Sequence, residues 1–299
     1  MEKCIPPELH GIFAALPTPF GPDGEPLWGA LDALVDFGLG KGLTGLCLGG
    51  ATGEYAACSL EHRQQALRRV ASWANGRARL ICAIGCEHAG QVRQLALTAA
   101  DCGAIALLFP TPAFLRYEQN DLVDFMEQVS ADLPLPVLLY HLPQFTRDLG
   151  ISNVLRLIAT VPNIIGLKDS SGHRANLGEI QAAQARGPMV FMIGSDDLLL
   201  EAFQHGAAGA ISGIASGCPD LVLPVYQAFR AGDLSRAREG QARLTELMTR
   251  LAGLPVPWAM KLALQARGLE MGSMPWPMGS NLRQKALAFQ DWYARQIAA

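Results

Sequence analysis

The 299-residue sequence predicts a (β/α)8 barrel with a C-terminal helical segment. Short, almost wholly apolar runs alternate with longer amphipathic ones, as parallel strands do when helices cover both faces of their sheet. The units recur about every 25–35 residues, and about eight of them fit before Gly232, which is the number that closes such a sheet into a barrel. The turn after the first run reads Pro17-Thr18-Pro19-Phe20. The rival open sheet would carry a glycine-rich dinucleotide turn there.

The strands expected in order are Ile12–Leu16, Gly45–Leu48, Leu80–Ile84, Ala104–Phe109, Val137–Tyr140, Ile164–Lys168, Val190–Ile193 and Ala210–Ser212. Amphipathic helices are expected at Leu60–Trp73, Gln91–Cys102, Asp121–Asp132, Ser152–Val161, Asn176–Arg186, Leu198–His205 and Pro219–Phe229. Ser59 stands as an N-cap for the first of these, and Pro219 suits the first turn of the last. From about Asp233 the pattern is helical only, at Ser235–Leu251, Val256–Arg267 and Leu282–Ile297. Residues 1–232 are therefore expected to form the barrel and 233–299 the helical segment.

Composition narrows the function. Half the residues are apolar and 17% are charged, a balance suited to a large core rather than to disorder. The net charge of −3 comes without a basic stripe, so no nucleic-acid partner is expected. Met1–His10 lacks the apolar run of a signal peptide, and no apolar stretch reaches the ~18 residues of a membrane span. Seven cysteines, an odd number and without Cys-x-x-Cys pairs, read as reduced thiols of a cytoplasmic protein. The six histidines show no metal-ligand spacing, so neither metal nor other cofactor is expected.

In a barrel of this kind chemistry sits at the C-terminal ends of the strands. Of five lysines only Lys168 ends an apolar strand, Ile164-Ile165-Gly166-Leu167-Lys168. Burial favours the neutral amine that Schiff-base chemistry needs. The structural alternative is that Lys168 reaches solvent or pairs with Asp169. Tyr140 ends the neighbouring strand, where its phenol can pass protons or serve as a core ring with its hydroxyl at the rim. After strand two, Gly49-Gly50-Ala51-Thr52-Gly53-Glu54 can aim backbone N–H groups and the Thr52 hydroxyl at a carboxylate, although glycines there also serve plain turn geometry. Gly194, Asp196 and Asp197 after strand seven, with Ile211 in strand eight, complete the candidate substrate contacts. Their carboxylates suit hydroxyls, unless Ser195 or Asp196 merely caps the following helix. His141 and His173 near strand ends fit neutral hydrogen-bonding roles.

With these residues in place the chain resembles the dihydrodipicolinate synthase / N-acetylneuraminate lyase family of class I pyruvate-dependent aldolases, essentially end to end. The landmarks are Gly49–Glu54, Thr111-Pro112, Leu139–Pro143, Gly166–Gly172 and Gly194–Asp197. The resemblance implies Lys168 as the Schiff-base lysine and Tyr140 as the proton-transfer residue. It implies Thr52 and the backbone at Ala51 as holders of the pyruvate carboxylate, and Ser170 as a hydroxyl turned toward the substrate. It also implies a homotetramer, a dimer of dimers. The chain departs from the synthase pattern at three places. Ala51 replaces the first of two hydroxyl residues, Phe114 stands at a tyrosine position and Phe145 at an arginine position, with Arg147 two residues on.

These readings converge on a lyase that cleaves a 4-hydroxy-2-oxo acid, of the 3-deoxy sugar type, to pyruvate and an aldehyde. The alternatives are dihydrodipicolinate synthase, condensing pyruvate with aspartate semialdehyde, a 2-oxo-3-deoxy sugar acid dehydratase, and a non-catalytic metabolite-binding relative.

Overall fold

The structure is a computed structural model and describes residues 5–298; Lys3 and Cys4 lie outside the described residues. Eight parallel strands close a barrel in sequence order: β1 Gly11–Ala15, β2 Gly45–Leu48, β3 Arg79–Ala83, β4 Ala106–Pro110, β5 Val137–His141, β6 Ile164–Asp169, β7 Val190–Ile193 and β8 Gly209–Ser212. The expected strands are thus all present. β1, β3 and β4 are displaced by a residue or two, because apolar runs continue past the hydrogen-bonded ladder and do not mark its ends.

Alternation along each strand divides the core in two. One set of side chains, including Phe13, Cys47, Ile81, Leu108, Leu138, Tyr140, Met192 and Ile211, fills the barrel interior. The other, including Leu46, Leu107, Leu139, Leu167 and Phe191, meets the surrounding helices. Both faces of the sheet are dry, which is why the strands read as unbroken apolar runs.

The helices are α1 Trp28–Gly40, α2 Leu60–Ala74, α3 Ala89–Asp101, α4 Gln119–Ala131, α5 Ile151–Thr160, α6 Ala175–Gln184, α7 Leu199–Gln204 and α8 Pro219–Arg230, followed by α9 Leu234–Leu251, α10 Val256–Ala266 and α11 Ser280–Ala298. α1 has no counterpart in the sequence expectation. Its first residues follow Leu27, which makes no side-chain cap, and its apolar residues leave few polar markers of a solvent face. Ser59 does cap α2, accepting from the His62 N–H at 3.0 Å. Residues 196–198 form a separate 3-10 turn, so α7 is shorter than expected.

The last helix is tied to β8's exit. Tyr293 is buried, and its hydroxyl accepts from Arg267 Nε at 2.8 Å and Cys218 Sγ at 3.2 Å while donating to the Gly217 carbonyl at 3.3 Å. Removing a hydroxyl that serves two buried groups and the part-buried Arg267 leaves them short of a partner, which costs about 1–3 kcal/mol. Tyr293→Phe should lower the urea midpoint accordingly and leave the m-value unchanged. A midpoint equal to that of the wild type would show that α11 docks through its apolar contacts alone.

Candidate active site

Lys168 and Tyr140 are register partners on β6 and β5, and alternation sends both side chains into the barrel. Lys168 Nζ donates to Tyr140 Oη at 3.1 Å and lies 4.2 Å from the ring centroid. Both residues are buried, at 4% and 7% exposure, yet each stands at its strand's C-terminal end, where the interior packing stops. The alternative pairing of Lys168 with Asp169 does not occur. Asp169 faces the other way, accepting from the Ser171 N–H at 2.9 Å and Asn176 Nδ2 at 3.2 Å.

The space beside Lys168 depends on one missing side chain. A Cβ at Gly194, after β7, would overlap Ser170 Oγ and Lys168 Cε. Ser170 Oγ is itself buried with no hydrogen-bond partner, although its backbone is held by the His141 carbonyl and by Gln144 Nε2, both at 2.8 Å. An unpartnered buried hydroxyl against the lysine stem is a group able to serve a ligand.

The remaining candidates divide. Thr52 lies across the mouth toward β8. A Cβ on Gly213 would come within 2.8 Å of Thr52 Oγ1. The Ala51–Glu54 turn is closed by the Glu54 N–H on the Ala51 carbonyl at 3.0 Å, and Gly53 O accepts from Thr18 Oγ1 at 2.7 Å. Asp196 and Ser212 are buried and bonded to each other, Oγ to Oδ1 at 2.5 Å. Of the acidic pair only Asp197 is exposed. Ser195 makes no side-chain cap, and Ile211 is fully buried in the interior cluster. Burial pushes the Asp196 carboxyl up to about 6, against hydrogen bonds from Ser212 and the Ile214 backbone and the charge of Lys168, all of which lower it. Burial likewise pulls the His141 imidazole below its ordinary range, with Asp169 and Asp148 opposing.

Arg147 is not free for a substrate carboxylate. Its Nε donates to the Leu115 carbonyl at 2.8 Å and its Nη2 to the Phe114 carbonyl at 3.3 Å. Thr111 Oγ1 closes the same junction on the Arg147 carbonyl at 2.5 Å, and Glu87 Oε1 accepts from the Ala113 and Phe114 N–H groups at 2.7 and 3.2 Å. The β4 and β5 loops are thereby held together, with Phe114 82% and Phe145 66% exposed on them.

Among the buried charged residues that sequence reasoning missed, Lys261 is the most deeply buried. Lys261, on α10, has no exposed surface, and its Nζ lies 2.5 Å from Glu54 Oε2. No sequence signal joins positions so far apart, although the placement of a lysine among apolar residues on one helix hinted at a partner. Among the described residues no group of three His, Cys, Asp or Glu converges as a metal site, and no helix is long and apolar enough to cross a membrane.

A model of the dihydrodipicolinate synthetase family matches residues 8–294. A 4-hydroxy-tetrahydrodipicolinate synthase of Exiguobacterium is 31% identical over 95% of this chain and 97% of its own. Among solved structures, a prophage protein of the dihydrodipicolinic acid synthase family from E. coli K12, solved in complex with pyruvate, superposes with a TM-score of 0.89 at 25% identity, covering 97% of this chain and 99% of its own. The sialic acid aldolase of Ruminococcus gnavus superposes with a TM-score of 0.84 over 97% and 99% of the two chains; at 23% identity it shows the shared fold.

The Asp196 carboxyl gives a pH prediction. Between its ordinary 3.8 and about 6 the folded protein holds a proton that the unfolded chain has released. This group's contribution therefore falls as pH rises through about 6. Asp196→Asn lacks the titration, so relative to wild type it should gain stability between about pH 4 and about pH 7 in urea melts. A wild-type-to-variant difference that stays constant over that interval would contradict the assignment.

Proposed function

The chain belongs to the dihydrodipicolinate synthetase family, and on that premise we propose that it is a class I aldolase that cleaves a 4-hydroxy-2-oxo acid through a Schiff base on Lys168. The observation that carries this reading is the Lys168–Tyr140 hydrogen bond at the ends of two adjacent strands.

The chemistry follows from that pair. The Lys168 amine attacks the C2 carbonyl of the 2-oxo acid, and Tyr140 protonates the carbinolamine oxygen so that water leaves. The resulting iminium is the electron sink. Removal of the proton from the C4 hydroxyl sends the C3–C4 electron pair into it, releasing an aldehyde and leaving an enamine. Protonation at C3 and hydrolysis then free pyruvate and regenerate the amine. The Ala51 and Thr52 backbone and the Thr52 hydroxyl hold the carboxylate, with Gly194 and Ile211 beside the substrate stem; the missing Cβ of Gly194 admits the Ser170 hydroxyl and the Lys168 stem. Ser170 Oγ offers its open hydrogen bond to a substrate hydroxyl, and Asp197 presents a second polar group at the rim. Asp196 supports β8 through Ser212.

The aldehyde half is a non-phosphorylated sugar-type fragment in this reading. Between Arg186 and Arg230 the chain has no Lys or Arg, so the rim after β7 and β8 offers a phosphate no cationic side chain. The synthase reaction needs a cation for its second carboxylate. Phe145 stands at that position, and the Arg147 guanidinium is committed to two backbone carbonyls. The synthase reading is supported by relatives of that name at 30–32% identity. The exposed Phe114, Leu115 and Phe145 suit burial between subunits of a homotetramer, which sizing by light scattering tests, and the free cysteines suit a reducing cytoplasm.

Pyruvate with borohydride should label Lys168 irreversibly, read by peptide mass mapping; a label on another lysine of active protein would sink the mechanism. Lys168→Ala should lose turnover and keep its fold. Across a panel scored by kcat/KM, unphosphorylated 3-deoxy-2-oxo sugar acids should release pyruvate faster than their phosphates and faster than condensation with aspartate semialdehyde proceeds. The reverse order would transfer the proposal to the synthase.

Tyr140→Phe should slow turnover by about 10²–10⁴, the usual contribution of a positioned proton-transfer group. A rate near that of the wild type would assign proton transfer to water.

A further inference from the structure

The Glu54–Lys261 ion pair takes no part in the chemistry above, yet it is built into the loop that carries Ala51 and Thr52. Lys261 is fully buried and the Glu54 side chain is 7% exposed. Trp258, one turn earlier on α10, donates from Nε1 to Glu54 Oε1 at 3.2 Å, and the Lys261 ammonium lies 4.7 Å from the Phe20 ring centroid. Glu54 Oε2 and Lys261 Nζ have no hydrogen-bond partner besides this contact with each other. Burial pushes the Glu54 carboxyl up and the Lys261 amine down, and each charge opposes the other's shift.

Desolvation of two buried charges roughly cancels their attraction, so stability is a poor account of such a pair. Its location offers a better one. Glu54 is one of two described non-glycine residues with left-handed backbone, at φ 54°, a conformation that needs external support in a residue with a full side chain. Its N–H closes the turn onto Ala51, so its placement sets the turn's shape. The same helix also approaches the β8 exit that faces Thr52. Gly213 is flanked by Thr52 Oγ1 and by Val256 Cγ1 from the first turn of α10, at 2.8 and 3.1 Å from where its Cβ would stand.

We infer that Lys261 and Trp258 are positioning residues for the carboxylate subsite: by holding Glu54 from α10 they fix the Ala51–Glu54 turn in the form that binds the 2-oxo acid's carboxylate. The inference rests on the reading of Ala51 and Thr52 as that subsite. Lys261 has a second effect, because an uncompensated Glu54 carboxylate two residues from Thr52 would repel the anion.

The test is borohydride trapping of Lys168 by the full-length protein over a range of pyruvate concentrations. It compares wild type with Lys261→Met, with Lys261→Met combined with Glu54→Gln, and with Trp258→Phe. The first two variants should raise the half-saturating pyruvate concentration by about tenfold or more, the effect of losing one charge-assisted contact. Trp258→Phe should raise it several-fold, and the labelling rate at saturation should stay near that of the wild type in all three. A merely structural pair would lower thermal stability and leave half-saturation alone. Lys261→Met buries an unpaired carboxylate; should it fail to fold, the double variant and Trp258→Phe make the same comparison. Half-saturation within twofold of wild type in folded double variant and Trp258→Phe overturns the inference, as does a fall in the saturating rate alone. A wild type that does not label Lys168 overturns the functional reading, and this inference with it.

Discussion

Closure of the sheet between β1 and β8 is the constraint on which the rest of the molecule depends. The two strands pair through Gly11↔Gly209, and a Cβ on Gly209 would run into the Gly11 backbone. Gly11 itself sits at φ 94°, where other residues are strained. Once the ring is closed, inward positions of all eight strands share one narrow interior. Apolar side chains fill it up to the level of Leu138 and Met192, and the layer above is given to Tyr140 and Lys168. The polar pair is held within hydrogen-bonding distance by the strand ladder, with no loop involved. Side chains on strands are placed more rigidly than side chains on loops.

Around that fixed pair the loops are stitched to one another by side chains bonded within the protein. Arg147 joins the β4 and β5 exits, Asp196 and Ser212 join those of β7 and β8, and Glu54 joins the β2 exit to α10. Arg147, Asp196 and Glu54 are side chains whose ionisable type alone suggests a ligand contact. The hydrogen-bonding capacity left open beside Lys168 belongs to Ser170 Oγ, an uncharged group. The buried Asp196 carboxylate is bonded to Ser212, while the Ser170 hydroxyl keeps its hydrogen-bonding capacity.

How far the site could be read in advance depended on the range of the interaction. Lys168 and Tyr140 were legible because both terminate apolar runs, and strand termination is a local pattern. Asp196 and Asp197 were equally visible as residues, but the three-residue 3-10 turn that holds both decides which of them is buried, and nothing local distinguishes them. α1 escaped because it starts without a capping side chain and presents a largely apolar surface. The ion pair of Glu54 with Lys261 spans positions on either side of most of the barrel, and single-sequence patterning has no access to such a pairing.

By itself the sequence determined the strand–helix alternation, the count of eight units, the two-sided burial of the strands and the placement of a tyrosine and a lysine at the ends of β5 and β6. These follow from periodicity, and periodicity is a property of neighbouring residues. Only the tertiary structure decided that Asp169 turns away from Lys168, that Arg147 is consumed by the Phe114 and Leu115 carbonyls, that Gly194 clears the space beside the lysine, and that α10 delivers a buried cation to the β2 loop. Each depends on which side chains barrel closure brings within a few ångströms. That proximity is created by the fold's long-range geometry, to which residues distant in the chain contribute without any local mark of their partnership.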